Sequence, residues 1–262
     1  MLSLQFLTRL PFHFELHLQP QDFGKSTFFF PWIGAIVGLV MVGGAYLGFL
    51  TASMLVAAAF AVLCYTMMTG ALHIDGFGNA ITASKNKGGF AKLESMRVHV
   101  LSNRGKLAVA LDLLLQTALL WQILERAGWQ QGLLCMIAGA ICAQYSLVGA
   151  SAFANAARMD DIWVRFIEGI RLRQCLVAGM LTLTCLCLLV GWQAALCLLA
   201  LALLVSLVVG LWMKRVLHGV TGDVLGLVHE LVQIGSYVLL WLLHCYPVLP
   251  VAGYICLGAP AA

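Results

Sequence analysis

The sequence is poor in charge. Only 10% of its 262 residues are Asp, Glu, Lys or Arg, and 62% are hydrophobic. In soluble domains about a quarter of the residues are charged, so this composition excludes an ordinary soluble domain. Apolar runs of roughly 20 residues, the length that crosses a bilayer as a helix, recur along nearly the whole chain. The sequence therefore predicts an integral membrane protein, with one transmembrane domain over residues 1–262.

Other absences narrow the class further. The nine cysteines lie in apolar stretches without a Cys-x-x-Cys motif, so they indicate neither a zinc site nor a disulfide framework. The amino terminus has no small-residue cleavage site, and we expect no secretory signal. The net charge of +4 suits anionic headgroups or a phosphate-bearing substrate, and it gives no indication of nucleic acid. No ten-residue segment alternates between polar and apolar positions, so the spans are expected to be helices.

Seven apolar runs predict an all-α, polytopic bundle of about seven transmembrane helices. They cover residues 28–50, 51–72, 107–123, 133–153, 175–192, 194–213 and 231–246. Glycines four residues apart in the first run, including Gly34 and Gly38, predict close helix packing. Asp112 falls in the third run, where an acid is costly. We expect this span to start later and leave Asp112 near the interface; the alternative is a hydrogen bond to a neighbouring helix.

Basic residues are divided unequally between the loops. With this order of spans, fourteen of the fifteen lysines and arginines lie on the side of the amino terminus, and only Arg126 lies opposite. Positively charged loops stay in the cytoplasm. We therefore expect the three polar stretches, 73–106, 155–174 and 214–230, to be cytoplasmic loops of a multi-pass protein of the bacterial inner membrane.

One site pattern ends the second apolar run, at residues 70–76. This stretch reads Gly-Ala-Leu-His-Ile-Asp-Gly and contains His73 and Asp75. An acid at the end of a membrane span is rare, and it indicates a role with a cation or a proton. The alternative is a helix terminus whose Asp75 lies in the headgroup water.

A second site pattern precedes the last apolar run. If the segment from Thr221 is helical, Asp223, Gly226 and Glu230 share one face, with Gly226 clearing space between two carboxylates. Two carboxylates can hold Mg²⁺, and the basic pair at 214–215 can hold phosphate. The alternative is a membrane-entry helix capped by Thr221 or Asp223. If the second and last spans are neighbours, the two patterns form one site suited to phosphoryl transfer.

Four elements stand in a fixed order along the chain. They are Phe6-Leu-Thr-Arg-Leu-Pro11, Phe30-Pro-Trp-Ile-Gly34, the Gly70–Gly76 stretch and the run from Lys214 to Glu230. Their order and spacing resemble those of the cobalamin synthases, the adenosylcobinamide-GDP ribazoletransferases. The resemblance implies a membrane enzyme that joins α-ribazole, or its 5′-phosphate, to adenosylcobinamide-GDP with release of GMP. It also implies Mg²⁺ as the cofactor.

The expected site combines these residues. We expect catalytic roles for His73, Asp75, Thr221 and Asp223, phosphate binding by Arg97, Lys214 and Arg215, and Mg²⁺ ligation by Asp75, Asp223 and Glu230. His73 and Thr221 would orient or deprotonate the attacking hydroxyl. The expected partners are the two substrates and the lipid bilayer, and the sequence leaves a homo-oligomer open.

The chain departs from the pattern of this family at several positions. Asn79, Thr82 and Val98 stand where the family has acids, and Gln144 stands where it usually has an arginine. These replacements favour a second hypothesis, a degenerate homologue that binds corrinoid or nucleotide without transfer. A transporter is a weaker third hypothesis, because the charges gather on one face and not at the middle of the membrane.

Overall fold

The computed structural model describes residues 2–9, 20–157 and 163–245. Within these ranges the chain is helical, with one isolated β-bridge and no strand. The described α-helices are α1 (Leu2–Leu7), α2 (Pro20–Ser26), α3 (Phe30–Phe49), α4 (Met54–Thr69), α5 (Leu72–Ser84), α6 (Gly89–Val98), α7 (Asn103–Ala127), α8 (Trp129–Ala152), α9 (Val164–Gly169), α10 (Leu172–Val190), α11 (Trp192–Leu217) and α12 (Gly222–Cys245).

Six described helical segments are long and apolar enough to cross a bilayer, namely Asp22–Phe49, which includes α3, and helices α7, α8, α10, α11 and α12. Helices α4 and α5 qualify only as a pair, and they meet at an angle of 87°. The bend lies at Gly70 and Ala71, whose φ angles of +61° and +59° are left-handed and stop the α-helix. The prediction of an all-α polytopic bundle of about seven spans is confirmed.

The last span begins earlier than the apolar run suggests. Helix α12 starts at Gly222 and not near residue 231, so the acid motif lies within the helix. The run looked shorter because Asp223, His229 and Glu230 lower its hydropathy, yet all three are buried against other helices. Its predicted end, at residue 246, lies outside the described residues.

Helix α8 forms the centre of the bundle and is buried along most of its length. Helix α3 packs closely against it through glycines. A Cβ on Gly34 would lie 2.6 Å from Ile141 Cα, and a Cβ on Gly38 would lie 2.6 Å from Ile137 Cα. The small-residue spacing therefore lets the two backbones approach, as predicted.

The described parts of the three polar stretches meet at one end of the bundle. Ala157 N donates to Val220 O, and Val220 N donates to Asn155 O, each at 2.8 Å, which joins the second stretch to the third. Gly89, at the start of α6, packs on the carbonyl of Val216 at the end of α11. This arrangement places the charged loops together, as the sequence predicted.

Candidate active site

Helices α5 and α12 cross where two glycines meet. A Cβ on Gly226 would lie 2.6 Å from His73 O and 3.0 Å from Gly76 Cα. A Cβ on Gly76 would lie 3.2 Å from Asp223 Cα. The two stretches singled out in the sequence therefore converge. The role of Gly226 differs from the predicted one. It makes room for the backbone of α5, and it does not clear space between two carboxylates.

Asp75 and Asp223 lie beside this crossing. Asp75 directly precedes Gly76 in α5, and its side chain is exposed. Asp223 lies in the first turn of α12 and is buried. Its Oδ1 accepts a hydrogen bond of 3.3 Å from Asn79 Nδ2. The crossing thus brings one exposed and one buried carboxylate to the charged end of the bundle.

Glu230 does not join these two acids. Seven residues along α12 correspond to about 10 Å, which places Glu230 deep in the bundle. Its Oε1 accepts from Tyr65 Oη at 2.5 Å, and its Oε2 accepts from Gln116 Nε2 at 2.8 Å. The expected set of Asp75, Asp223 and Glu230 therefore does not form one metal site. Among the described residues there is no group of three His, Cys, Asp or Glu side chains that could hold a metal.

Asp112 lies in the middle of α7 and is buried, so the expectation of an interfacial position is wrong. Its Oδ2 accepts from Gln116 Nε2 at 2.8 Å, the same amide nitrogen that donates to Glu230. Gln233 Nε2 donates in turn to Gln116 Oε1 at 3.0 Å. This polar network, with Tyr65, connects α4, α7 and α12 inside the bundle. Hydrogen bonds between helices are a main source of association in lipid.

His73 and His229 lie in the interior as well. Their rings stack with centroids 3.8 Å apart and planes inclined by 13°. His73 Nε2 is 3.4 Å from Gln144 Nε2, and both histidines are 1% exposed. The expected contact of His73 with an attacking hydroxyl is therefore contradicted, because the His73 ring is buried against His229 of α12. His229 is packed in the same way.

Thr221 caps helix α12. Its Oγ1 accepts from Val224 N at 3.3 Å and also lies 3.5 Å from Met96 Sδ. The side chain is 1% exposed. These contacts match the capping alternative and give no support to the expected role in orienting the hydroxyl. We assign Thr221 to holding the first turn of α12, and with it Asp223, in place.

The expected phosphate ligands are exposed at the same end of the bundle. Lys214 and Arg215 lie in the last turn of α11. Arg97 lies near the end of α6, directly after Met96, and its Nη1 is 4.0 Å from Glu94 Oε2. All three side chains are accessible to an anion from solution.

Two contacts bring remote sequence elements to the site. A Cβ on Gly70 would meet the side chain of Arg9, which therefore lies over the bend between α4 and α5. A Cβ on Gly222 would meet the ring of Trp163, and Phe6 packs on that ring with centroids 4.6 Å apart. Phe6 and Arg9 belong to one sequence element, but nothing in its pattern indicates what they contact. The last two residues of that element lie outside the described residues.

An apolar cavity adjoins the crossing. Its volume is about 410 Å³, and its lining comes from α5, α6, α11 and α12 and includes Phe77, Met96, Trp212 and Leu227. Phe77 and Leu227 each directly follow one of the two crossing glycines, and Met96 contacts the cap of α12. The sequence did not predict this cavity, because its walls come from four separate helices.

Known proteins resemble this chain in sequence over most of its length. Residues 1–241 match the family described as cobalamin-5-phosphate synthase. The adenosylcobinamide-GDP ribazoletransferase of Geotalea daltonii is 30% identical over 236 residues, covering 88% of this chain and 92% of the relative. That of Clostridium acetobutylicum is 30% identical over 234 residues, covering 88% and 91%, respectively. That of Pseudomonas fluorescens is 29% identical over 251 residues. No solved structure matches the chain. The chain therefore belongs to the cobalamin-5-phosphate synthase family.

Proposed function

We propose that the protein is an adenosylcobinamide-GDP ribazoletransferase, which joins α-ribazole or its 5′-phosphate to adenosylcobinamide-GDP and releases GMP. The observation that supports this most directly is the crossing at Gly76 and Gly226, which brings Asp75 and Asp223 to the charged end of a membrane bundle. Relatives that carry this name match about nine-tenths of the chain.

In this reaction a hydroxyl of ribazole attacks the phosphorus that is attached to the cobinamide. A new phosphorus–oxygen bond forms, the phosphoanhydride bond breaks, and GMP leaves with the bridging oxygen while the hydroxyl proton passes to water. Such transfers depend on positioning and on neutralisation of phosphate charge. Arg97, Lys214 and Arg215 supply positive charge from exposed positions.

Asp75 and Asp223 are the residues that would hold Mg²⁺. This ion is usually bound by one or two carboxylates together with substrate phosphates, so the pair fits it without Glu230. When bound, Mg²⁺ neutralises charge on the diphosphate. The protein's own contribution is geometric: the glycine crossing brings the backbones of α5 and α12 together beside the two carboxylates, and Asn79 donates to Asp223.

The apolar cavity takes the base of ribazole. Its volume of about 410 Å³ lies within the range of small-molecule pockets, roughly 300–1,000 Å³. A base held there has its ribose near Thr221 and Asp223, because Met96 contacts Thr221 and also lines the cavity. The flat, mainly apolar base suits a pocket formed by Phe77 and Trp212.

In this proposal the protein lies in a bacterial inner membrane, and the charged end of the bundle faces the cytoplasm. The predicted order of spans places fourteen of the fifteen basic residues on that side.

The test is complementation. Cells that lack their own cobalamin synthase are supplied with cobinamide and given this chain, and cobalamin is measured. We expect cobalamin to form with the natural chain and to be lost with Asp223→Asn and Asp75→Asn. The control is Glu125→Gln, which changes an exposed acid at the end of α7, remote from the crossing. This variant should keep activity. If the natural chain is inserted in the membrane but forms no cobalamin, the transferase proposal is wrong.

A further inference from the structure

The loop between α6 and α7 is hydrogen-bonded to α5 at Asn79 and Thr82, two positions where the family resemblance implies acids. Asn79 and Thr82 lie three residues apart on α5, and therefore on one face. Asn79 Nδ2 lies 2.9 Å from His99 Nδ1. Ser102 N donates to Thr82 Oγ1 at 3.1 Å, and the Ser102 hydroxyl lies 3.2 Å from the same atom. The two replaced positions thus anchor both ends of the loop from His99 to Ser102.

The hydrogen bonds of Asn79 determine which nitrogen of His99 has the proton. Asn79 Nδ2 has two hydrogens and two neighbours, Asp223 Oδ1 and His99 Nδ1. An ionised carboxylate only accepts, so the amide must turn its nitrogen toward Asp223. His99 Nδ1 then accepts the second hydrogen. The neutral imidazole therefore has its own proton on Nε2.

His99 is also held in an uncommon backbone conformation. It ends helix α6 with a φ of +50°, in the left-handed region that residues other than glycine seldom adopt. Such conformations persist only where surrounding contacts impose them, and they are concentrated at functional sites. The side chain is exposed, two residues after Arg97. Since Nδ1 is engaged by Asn79, Nε2 is the nitrogen that a ligand in solution can reach.

We propose that His99 binds a phosphate oxygen of the nucleotide-activated substrate through its Nε2–H group, and that Asn79 is the positioning residue for this imidazole. The inference rests on the proposed function, because it concerns the diphosphate of the same site. A neutral donor here contacts phosphate directly, whereas carboxylates at 79 and 98 would repel the diphosphate unless a cation lay between them. At positions 79 and 98, where the family resemblance implies acids, this chain therefore presents no carboxylate to the diphosphate and offers the neutral donor of His99.

The test compares His99 with a matched histidine. His218 also ends a helix in the left-handed conformation, with a φ of +62°, and is exposed. In membranes containing the full chain, we expect His99→Phe to raise the KM for adenosylcobinamide-GDP by roughly 10- to 100-fold, the range for losing a hydrogen bond to a charged group. The KM for ribazole should not change. His218→Phe should leave both values unchanged.

Two further variants separate binding from folding. His99→Gln keeps an N–H donor and should restore most of the affinity that His99→Phe loses. Asn79→Leu removes the positioning amide, which also donates to Asp223, and should raise the same KM. If His99→Phe fails to accumulate in the membrane, Asn79→Leu provides the comparison. Equal KM values for adenosylcobinamide-GDP in Asn79→Leu and the natural chain, or in His99→Phe and His218→Phe, would overturn the proposal.

The proposed function and this inference fail differently. If the natural chain forms no cobalamin, the transferase proposal is wrong, and the binding of GDP to the same membranes then tests His99 alone. We expect GDP to bind at least tenfold more weakly to His99→Phe than to His218→Phe, by the same loss of one donor to a charged phosphate. Equal binding of GDP to the two variants would contradict the role of His99.

Discussion

Replacing Gly226 by alanine should disturb the crossing of α5 and α12. The added Cβ would lie 2.6 Å from His73 O and 3.0 Å from Gly76 Cα. Both of these are backbone atoms, so no change of rotamer can relieve the contact. The two helices must move apart by several tenths of an ångström or more.

The effect on activity should exceed the effect on stability. Alanine gains about 1 kcal/mol over glycine within a helix, and overpacking costs typically 1–3 kcal/mol. The net loss of stability is therefore on the order of 1 kcal/mol. Displacing α5, however, moves Asp75 relative to Asp223. A misplacement of about 1 Å can lower a rate by roughly 100-fold, so we expect a fall of ten- to 100-fold in cobalamin formation.

Gly43→Ala is the matched control for this change. Gly43 is an exposed glycine of α3, and no atom outside its own helix lies within 4 Å of an added Cβ. This variant should keep the full rate and gain up to about 1 kcal/mol of stability. Thermal unfolding in detergent and the rate of cobalamin formation in membranes measure both quantities. A Gly226→Ala protein with the natural rate would refute the claim that the glycine crossing aligns the two carboxylates.

Two other changes separate the interior of the bundle from its cavity. Glu230→Ala removes the acceptor of the Tyr65 hydroxyl and of one N–H of the Gln116 amide, whose nitrogen still donates to Asp112. A buried unpaired donor costs about 1–3 kcal/mol. The thermal midpoint in detergent should therefore fall, and an unchanged midpoint would contradict the structural role of Glu230. Ala80→Leu adds volume within the apolar cavity and should raise the KM for ribazole at least about fivefold, from an overpacking cost of 1–3 kcal/mol. Ala200→Leu, at an exposed position of α11, should leave the KM for ribazole unchanged. Equal KM values for ribazole in Ala80→Leu and Ala200→Leu would show that the base binds elsewhere.

The spans were predictable because lipid leaves the backbone few choices. Without water to pair with, each apolar run must satisfy its own N–H and C=O groups, and a helix does so locally. Gly34 and Gly38 were predictable for a similar reason, since their spacing alone places them on one face. The bend at Gly70 was not predicted. It depends on two consecutive left-handed residues, and the second of these is an alanine.

The contacts of the polar side chains were less predictable. Asp112 and Glu230 were expected near water, because an isolated acid in lipid is unfavourable. In the structure each acid has Gln116 as a partner, and Gln116 lies on a different helix from Glu230. Sequence spacing describes one helix at a time, so it cannot reveal a partner on another. The link between Asn79 and His99 was missed for the same reason.

The motif from Thr221 to Glu230 illustrates the difference between sharing a face and sharing a site. Asp223 and Glu230 do lie on the inner face of α12, as the helical spacing predicted. Along the axis, however, seven residues separate them by about 10 Å, more than one ion can bridge. Because α12 enters the bundle at Gly222, that distance leads inward. Asp223 remains at the charged end with Asn79, and Glu230 lies where only protein donors reach it. One helix thus connects the proposed chemistry at its first turn to the polar network that holds α4, α7 and α12 together.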